Sequence, residues 1–149
     1  MQPFPFLKVL GYRRHVRLER RQELAAILAE ERSLVDHRSS LERRRQGQLA
    51  ELGQLAESDE LSVEAAARRR YFAGQLEIEL LVVDDQLAQL RVEVEKRLEA
   101  LIRADMDVQA LERLEEKHVA REEYESLRKS EVELSDQWQA GQLAVSSKK

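Results

Sequence analysis

Cysteine is missing from this 149-residue chain. That removes disulfides, thiolate catalysis, zinc fingers and iron–sulfur ligation together, and it fits a reducing compartment. Glycine and proline are scarce, at five and two residues. A sandwich, a barrel or a doubly wound α/β domain needs far more turn chemistry than that, so a Rossmann-like enzyme is excluded. Three Phe, three Tyr and one Trp are too few to fill a globular core, and burial is expected to run along a seam instead. The longest run of large apolar residues is Leu80-Leu81-Val82-Val83, far short of the roughly 20 residues a membrane helix needs. Met1 to Leu10 lacks a signal-peptide h-region and its cleavage site. The expectation is a soluble, intracellular chain without direct membrane insertion.

What is abundant points one way. Ala, Glu, Lys, Leu and Arg make up 86 of the 149 residues, or 58%, well above the level that flags a long helix or coiled coil when a helical period accompanies it. The net charge is −4, but residues 1–72 carry +3 and residues 73–149 carry −7, so the two halves attract each other weakly. Arg13, Arg14, Arg17, Arg20 and Arg21 form the densest basic stretch. Glu19 and Glu23 interleave with it and no base-reading module follows, so no nucleic-acid partner is expected.

Pro3 and Pro5 hold the first residues extended, which puts the start of helix 1 near Phe6 or Leu7. Apolar residues then recur loosely at helical spacing through Leu10, Leu24, Ile27, Leu28, Leu34, Val35, Leu41, Leu49, Leu52 and Leu55. Polar turn formers cluster around Glu57 to Ser62, and Ser62 followed by Glu64 makes a helix N-cap. The spacing predicts helix 1 over about 7–57, a turn at about 58–62, helix 2 over about 63–139 and a frayed tail at 140–149. In helix 2, Leu76, Leu80, Val83, Leu87, Leu90, Val94, Arg97, Leu101, Ala104, Val108 and Leu111 alternate spacings of four and three. A sustained 3.5-residue repeat is the mark of a left-handed coiled coil. At the one charged position, the Arg97 stem is expected to cover the seam while Leu98 turns inward.

A short turn forces the helices antiparallel, so paired residue numbers should sum to about 119 and Leu34 should lie near Leu87. Gly47 and Gly74 then fall almost opposite each other. The expected fold class is all-α: a single coiled-coil domain built as an antiparallel two-helix hairpin whose second helix is the longer. At 1.5 Å per residue, helix 1 spans roughly 75 Å and helix 2 roughly 115 Å. Beyond Leu111 the register lands on Glu115, His118 and Glu122, so the seam lapses and residues 112–139 are expected to overhang. A solvated helical extension of that kind calls for a partner.

Catalytic constellations are missing, and no enzymatic activity, cofactor or metal is expected. His15, His37 and His118 sit in charged helical stretches. Glu115 and His118 have the spacing of paired metal ligands, but a di-metal bundle needs a second such pair and further inward carboxylates. Asp84-Asp85 and Glu115-Glu116 read as the wet face of a helix, and no glycine-rich phosphate loop exists. The aromatics Tyr71 and Phe72, just after the turn, and Tyr124 and Trp138, on the overhang, are left as docking candidates, although Phe72 could equally cap the coil.

Phe4, Phe6, Val9, Leu10, Tyr12 and Arg13, followed by Glu23-Leu24-Ala25, resemble the opening of the FliJ family of the bacterial flagellar type III export apparatus. The run Ala110-Leu111-Glu112-Arg113-Leu114-Glu115-Glu116-Lys117, with Tyr124, Glu131 and Asp136 beyond it, resembles the family's C-terminal block. The resemblance spans residues 4–138. It implies an antiparallel coil similar to the central stalk of rotary ATPases, which inserts into the hexameric export ATPase ring (FliI-like) and promotes its assembly and activity. It further implies contact with the export gate (FlhA-like), dealings with export chaperones, and a cytoplasmic location peripheral to the inner membrane. Within that reading the ring-binding residues are Tyr12, Arg13, Arg14, Glu112, Glu116, Lys117, Arg121 and Tyr124, whose charges are expected to lack intramolecular partners. The gate-binding residues are Tyr71, Phe72 and Leu76. Two alternatives stay open: the equivalent stalk of an injectisome-type system, and an unrelated coiled-coil scaffold that dimerises through the second seam.

Overall fold

The structure, a computed structural model, describes residues 2–57 and 62–147. Two α-helices, α1 (Leu7–Glu57) and α2 (Val63–Ser147), pack against each other as a hairpin, and no strand occurs among the described residues. α1 starts where the prolines release the chain: the Leu7 N–H donates to the Phe4 carbonyl at 3.3 Å and the Leu10 N–H to the Phe6 carbonyl at 2.9 Å. Of the expected turn, residues 58–61 lie outside the described residues. Ser62 performs the expected cap. Its Oγ accepts the Ala65 N–H at 3.3 Å and its carbonyl accepts the Ala66 N–H at 3.0 Å, with Glu64 in the first turn, where the helix dipole favours an acid.

The end of α2 departs from expectation. The helix runs to Ser147 rather than to about 139, so residues 140–147 are helical instead of frayed. Beyond Gln139 only Gly141 opposes the helix, and Ala140, Gln142, Leu143 and Ala144 propagate it. Ser147 Oγ then donates to the Ala144 carbonyl at 3.0 Å.

The chain groups into two compact units, one of Glu19–Leu101 and one of Met1–Leu18 with Ile102–Lys149. In the 19–101 unit the core is Leu41, Leu76, Leu80, Val83 and Leu87, with Leu34 packed against it, and Ile27 and Ala73 are buried as well. The α2 seam positions are those of the 3.5-residue repeat. On α1 the repeat is occupied differently, because Arg20, Arg38, Arg45 and Gln48 stand at inward-register positions between Leu24, Ile27, Leu34, Leu41, Leu52 and Leu55. Leu28, Val35 and Leu49, whose spacing blurred the sequence pattern, are exposed. Two of these arginines reach across the seam to acids of α2, Arg38 to Asp84 at 2.5 Å and Arg45 to Glu77 at 3.7 Å, while Arg20 pairs with Glu23 on its own helix at 3.1 Å. From the other side, Arg69 of α2 meets Glu51 and donates to Gln48 at 3.1 Å. The hydrogen bond that Arg38 donates to Asp84, together with the carboxylate's charge, holds the Arg38 guanidinium above the usual arginine value.

Arg97 covers the seam with its stem half-buried, and its head donates to the Glu23 carbonyl at 2.9 Å and to Glu93 at 3.2 Å. Leu98 does not turn inward; it remains 44% exposed. The guanidinium satisfies itself on the facing backbone without help from its neighbour, and the helix has no cause to rotate. Pairs across this unit have numbers summing to about 120, as for Arg97 with Glu23 and Arg69 with Glu51, close to the expected 119. Gly47 and Gly74 make no close approach, since a Cβ built on either meets nothing within 4 Å.

In the second unit, Leu10, Ala104 and Val108 are buried. Arg13 pairs with Asp107 at 3.3 Å, Arg14 with Glu112 at 3.2 Å and Arg17 with Asp105 at 3.1 Å. The seam was expected to lapse after Leu111. Instead Glu115, His118 and Glu122 are half-buried, because the residues ahead of α1 extend its cover. The Phe4 ring centre lies 5.8 Å from those of both Phe6 and His118, and His118 Nε2 donates to the Gln2 carbonyl at 3.0 Å. Residues 123–147 are exposed throughout, so the uncovered part of α2 starts about a dozen residues later than the sequence suggested.

Candidate functional site

The uncovered stretch of α2 is the first candidate surface, and the residues leading into it carry most of the charges singled out from sequence. They divide into two groups. Arg13, Arg14 and Glu112 were expected to lack partners, but their ion pairs tie α1 to α2 within the 1–18/102–149 unit. The antiparallel register sets the arginine row of α1 against Asp105, Asp107 and Glu112, and opposite charges in reach pair before any partner arrives. Glu116, Lys117 and Arg121, by contrast, are exposed and carry no ion pair among the described residues. Tyr12 and Tyr124 are exposed as well, and the Arg13 guanidinium sits 5.9 Å from the Tyr12 ring centre.

A feature that the sequence reading missed lies further along. Tyr124 and Trp138, docking candidates from sequence, lie off the seam of residues 76–111. They belong to one of their own: Tyr124, Leu127, Glu131, Leu134, Trp138, Gly141 and Val145 repeat the three–four alternation, all exposed on one stripe of α2. At 3.6 residues per turn the stripe is turned roughly 150° about the helix axis from Glu115, His118 and Glu122. The signal was present as spacing. Extending the phase of residues 76–111 hid it, because the two stripes are out of register. Trp138, Gly141, Gln142, Val145 and Ser146 line a shallow hollow on it, where the missing glycine side chain leaves space.

The second candidate surface is in the 19–101 unit. Tyr71 and Phe72 are exposed, with ring centres 5.9 Å apart in an edge-to-face arrangement. Phe72 flanks a shallow depression with Ala65, Arg68 and Arg69, and it takes no part in the core cluster. Leu76, grouped with these two from sequence, is buried in that cluster and offers no surface. Its position in the 3.5-residue repeat points it at Leu41 rather than outward.

No group of three or more His, Asp or Glu side chains among the described residues could hold a metal ion, and no buried side-chain polar atom there lacks a partner. No described helix is long and apolar enough to cross a membrane. What both surfaces share is exposed aromatic and charged side chains on regular helix, which suits protein–protein contact. Comparison of the chain with family models, with curated proteins and with solved structures gave no match.

Proposed function

We propose that this protein is a non-catalytic, stalk-like coiled coil of the bacterial flagellar type III export apparatus. In this reading it binds the hexameric export ATPase through its uncovered C-terminal helix and the export gate through Tyr71 and Phe72. The observation that carries the proposal is the mismatch of the two helices: α2 continues from residue 123 to Ser147 with no intramolecular cover. Helical surface held out in this way stabilises the free protein little, so its value lies in what it meets. The resemblance of residues 4–25 and 110–138 to the FliJ family supplies the partner.

The ring-facing surface is the uncovered helix from residue 123 onward, with Tyr124 at its start, and Tyr12, Glu116, Lys117 and Arg121 lead into it. Arg13, Arg14 and Glu112 hold the two helices together beneath it through their own ion pairs. Charges at such a rim set orientation and on-rate more than affinity, so binding should weaken with salt. The direct test is co-purification with the cognate export ATPase at low ionic strength, for the wild-type protein and for a Lys117→Glu/Arg121→Glu variant. The expected result is a complex with the wild type and at least a fivefold loss of capture in the variant at unchanged helicity, in line with about 1 kcal/mol or more of rim electrostatics. Absence of any wild-type complex overturns the proposal.

A further inference from the structure

We infer that the exposed stripe of residues 120–145 is a self-association surface, on which a second copy of this chain docks antiparallel and seats its Tyr124 in the hollow at Gly141. The argument begins with the composition of the stripe. Tyr124, Leu127, Leu134, Trp138 and Val145 are each roughly two-thirds exposed, at 63–66%. An amphipathic helix with a heptad stripe and nothing opposite is half of a two-helix seam.

The order of residues selects the partner and its direction. Laid antiparallel on itself with paired numbers summing to about 265, the stripe sets its two small residues, Ala120 and Gly141, opposite larger ones. Ala120 meets the second copy's Val145, Tyr124 meets its Gly141, Leu127 meets its Trp138 and Glu131 meets its Leu134. The twofold axis passes between residues 132 and 133, and every pair occurs twice, as an isologous interface requires. A parallel pairing does the opposite. It stacks Glu131 directly on Glu131, Trp138 on Trp138 and Gly141 on Gly141, so that like charges lie face to face and a gap is left, whereas the antiparallel pairing sets each Glu131 against a Leu134.

The hollow lined by Trp138, Gly141, Gln142, Val145 and Ser146 is where the second copy's Tyr124 arrives in the antiparallel register, and a Cβ at Gly141 meets nothing within 4 Å, so the space is open. Charge agrees. The positions flanking the stripe are Glu123, Arg128, Ser130, Ser135, Gln137, Gln142 and Ala144, so neutral side chains line most of the contact, while Glu125, Lys129, Glu133 and Asp136 fall on the outer face. Covering the five large side chains removes about 500 Å² per copy from water, and the pair reaches about 1,000 Å², the lower bound for a specific interface. That predicts a reversible dimer in the micromolar range rather than an obligate one.

The inference goes beyond the export reading and does not rest on it; a dimer would cover the same stretch of α2 that this reading gives to the ATPase ring, so the second copy and the ring would compete for it. It is tested on the full chain alone, so its failure leaves the ATPase result untouched. Sedimentation between about 1 and about 100 μM should pass from one chain to two. Emission from Trp138, the single tryptophan, should shift to the blue over the same range. Gly141→Leu, which favours the helix but fills the hollow, should raise the dissociation constant at least tenfold without loss of helicity. In this cysteine-free protein, oxidised Tyr124→Cys/Gly141→Cys should crosslink two chains, and neither single variant should. A single-chain mass at about 100 μM overturns the inference and leaves the stripe to a foreign helix. Efficient crosslinking of the single variants overturns the antiparallel register in favour of the parallel one.

Discussion

Gly74 illustrates how little of this fold rests on special backbone geometry. It is helical, no described glycine has a positive φ, and a Cβ there meets nothing within 4 Å. The residue therefore only weakens the helix, by about 1 kcal/mol relative to alanine. Gly74→Ala, and likewise Gly47→Ala, should raise stability by about that much and the midpoint of thermal unfolding by about 2–4 °C, read by circular dichroism. Leu41 is the counterpart. Fully buried against Leu76, Leu80, Val83 and Leu87, it leaves a cavity on truncation. Leu41→Ala should cost about 2–4 kcal/mol in a urea titration. Arg38 behaves differently again, because its raised pKa sets the sign of its pH dependence. A cation whose folded value lies above its unfolded value contributes fully below the unfolded value and loses that contribution only as pH rises through the folded one. For arginine both lie in strong alkali, so the destabilisation caused by Arg38→Gln should be the same at about pH 7 and about pH 9.

At the scale of the helices, register is the property that matters. In the 19–101 unit Leu34 packs on the cluster that contains Leu87. Cysteines introduced at these two positions should crosslink within one chain, giving a faster-migrating monomer on a non-reducing gel; a crosslinked dimer would instead favour a parallel pairing between chains. The ion pairs of Arg38, Arg45 and Arg69 are at least partly exposed and individually weak, but a slipped register would set these arginines against Leu76, Val83 or Leu87, so they disfavour alternatives more than they stabilise the hairpin. This explains what the sequence did and did not disclose. The α2 seam was legible because apolar residues fill its repeat, and the start of α2 was legible because Ser62 is a good cap. The α1 seam was legible only in part: Leu10, Ile27, Leu34 and Leu41 do pack inward, but arginines occupy other inward positions while Leu28, Val35 and Leu49 lie outside, so hydrophobicity blurs the phase. The cover over His118 was missed for another reason. Gln2 and Phe4 precede the helix, where no periodic rule reaches. The stripe from Tyr124 to Val145 was hidden only by its change of phase.

For the whole molecule, two docking surfaces are proposed, one in each unit. Phe72 is half-exposed and outside the core, so Phe72→Ala should reduce binding to the export gate several-fold in a pull-down while helicity and unfolding midpoint stay nearly unchanged. A large loss of stability with binding preserved would make it a cap of the coil instead. The ATPase surface admits a sharper test. A ligand that binds only the assembled ring stabilises that ring by mass action, so the protein should promote hexamer formation and with it ATP turnover. Residues 123–149 lie beyond the half-buried Glu122, so their removal spares Phe4, His118 and both seams. The measurement is the steady-state ATP hydrolysis rate of the cognate export ATPase, titrated with the full chain and with the chain ending at Glu122. Stimulation by the full chain and its loss with the truncated, still helical protein is the result the proposal predicts. Equal stimulation by both, or none by either, would contradict it.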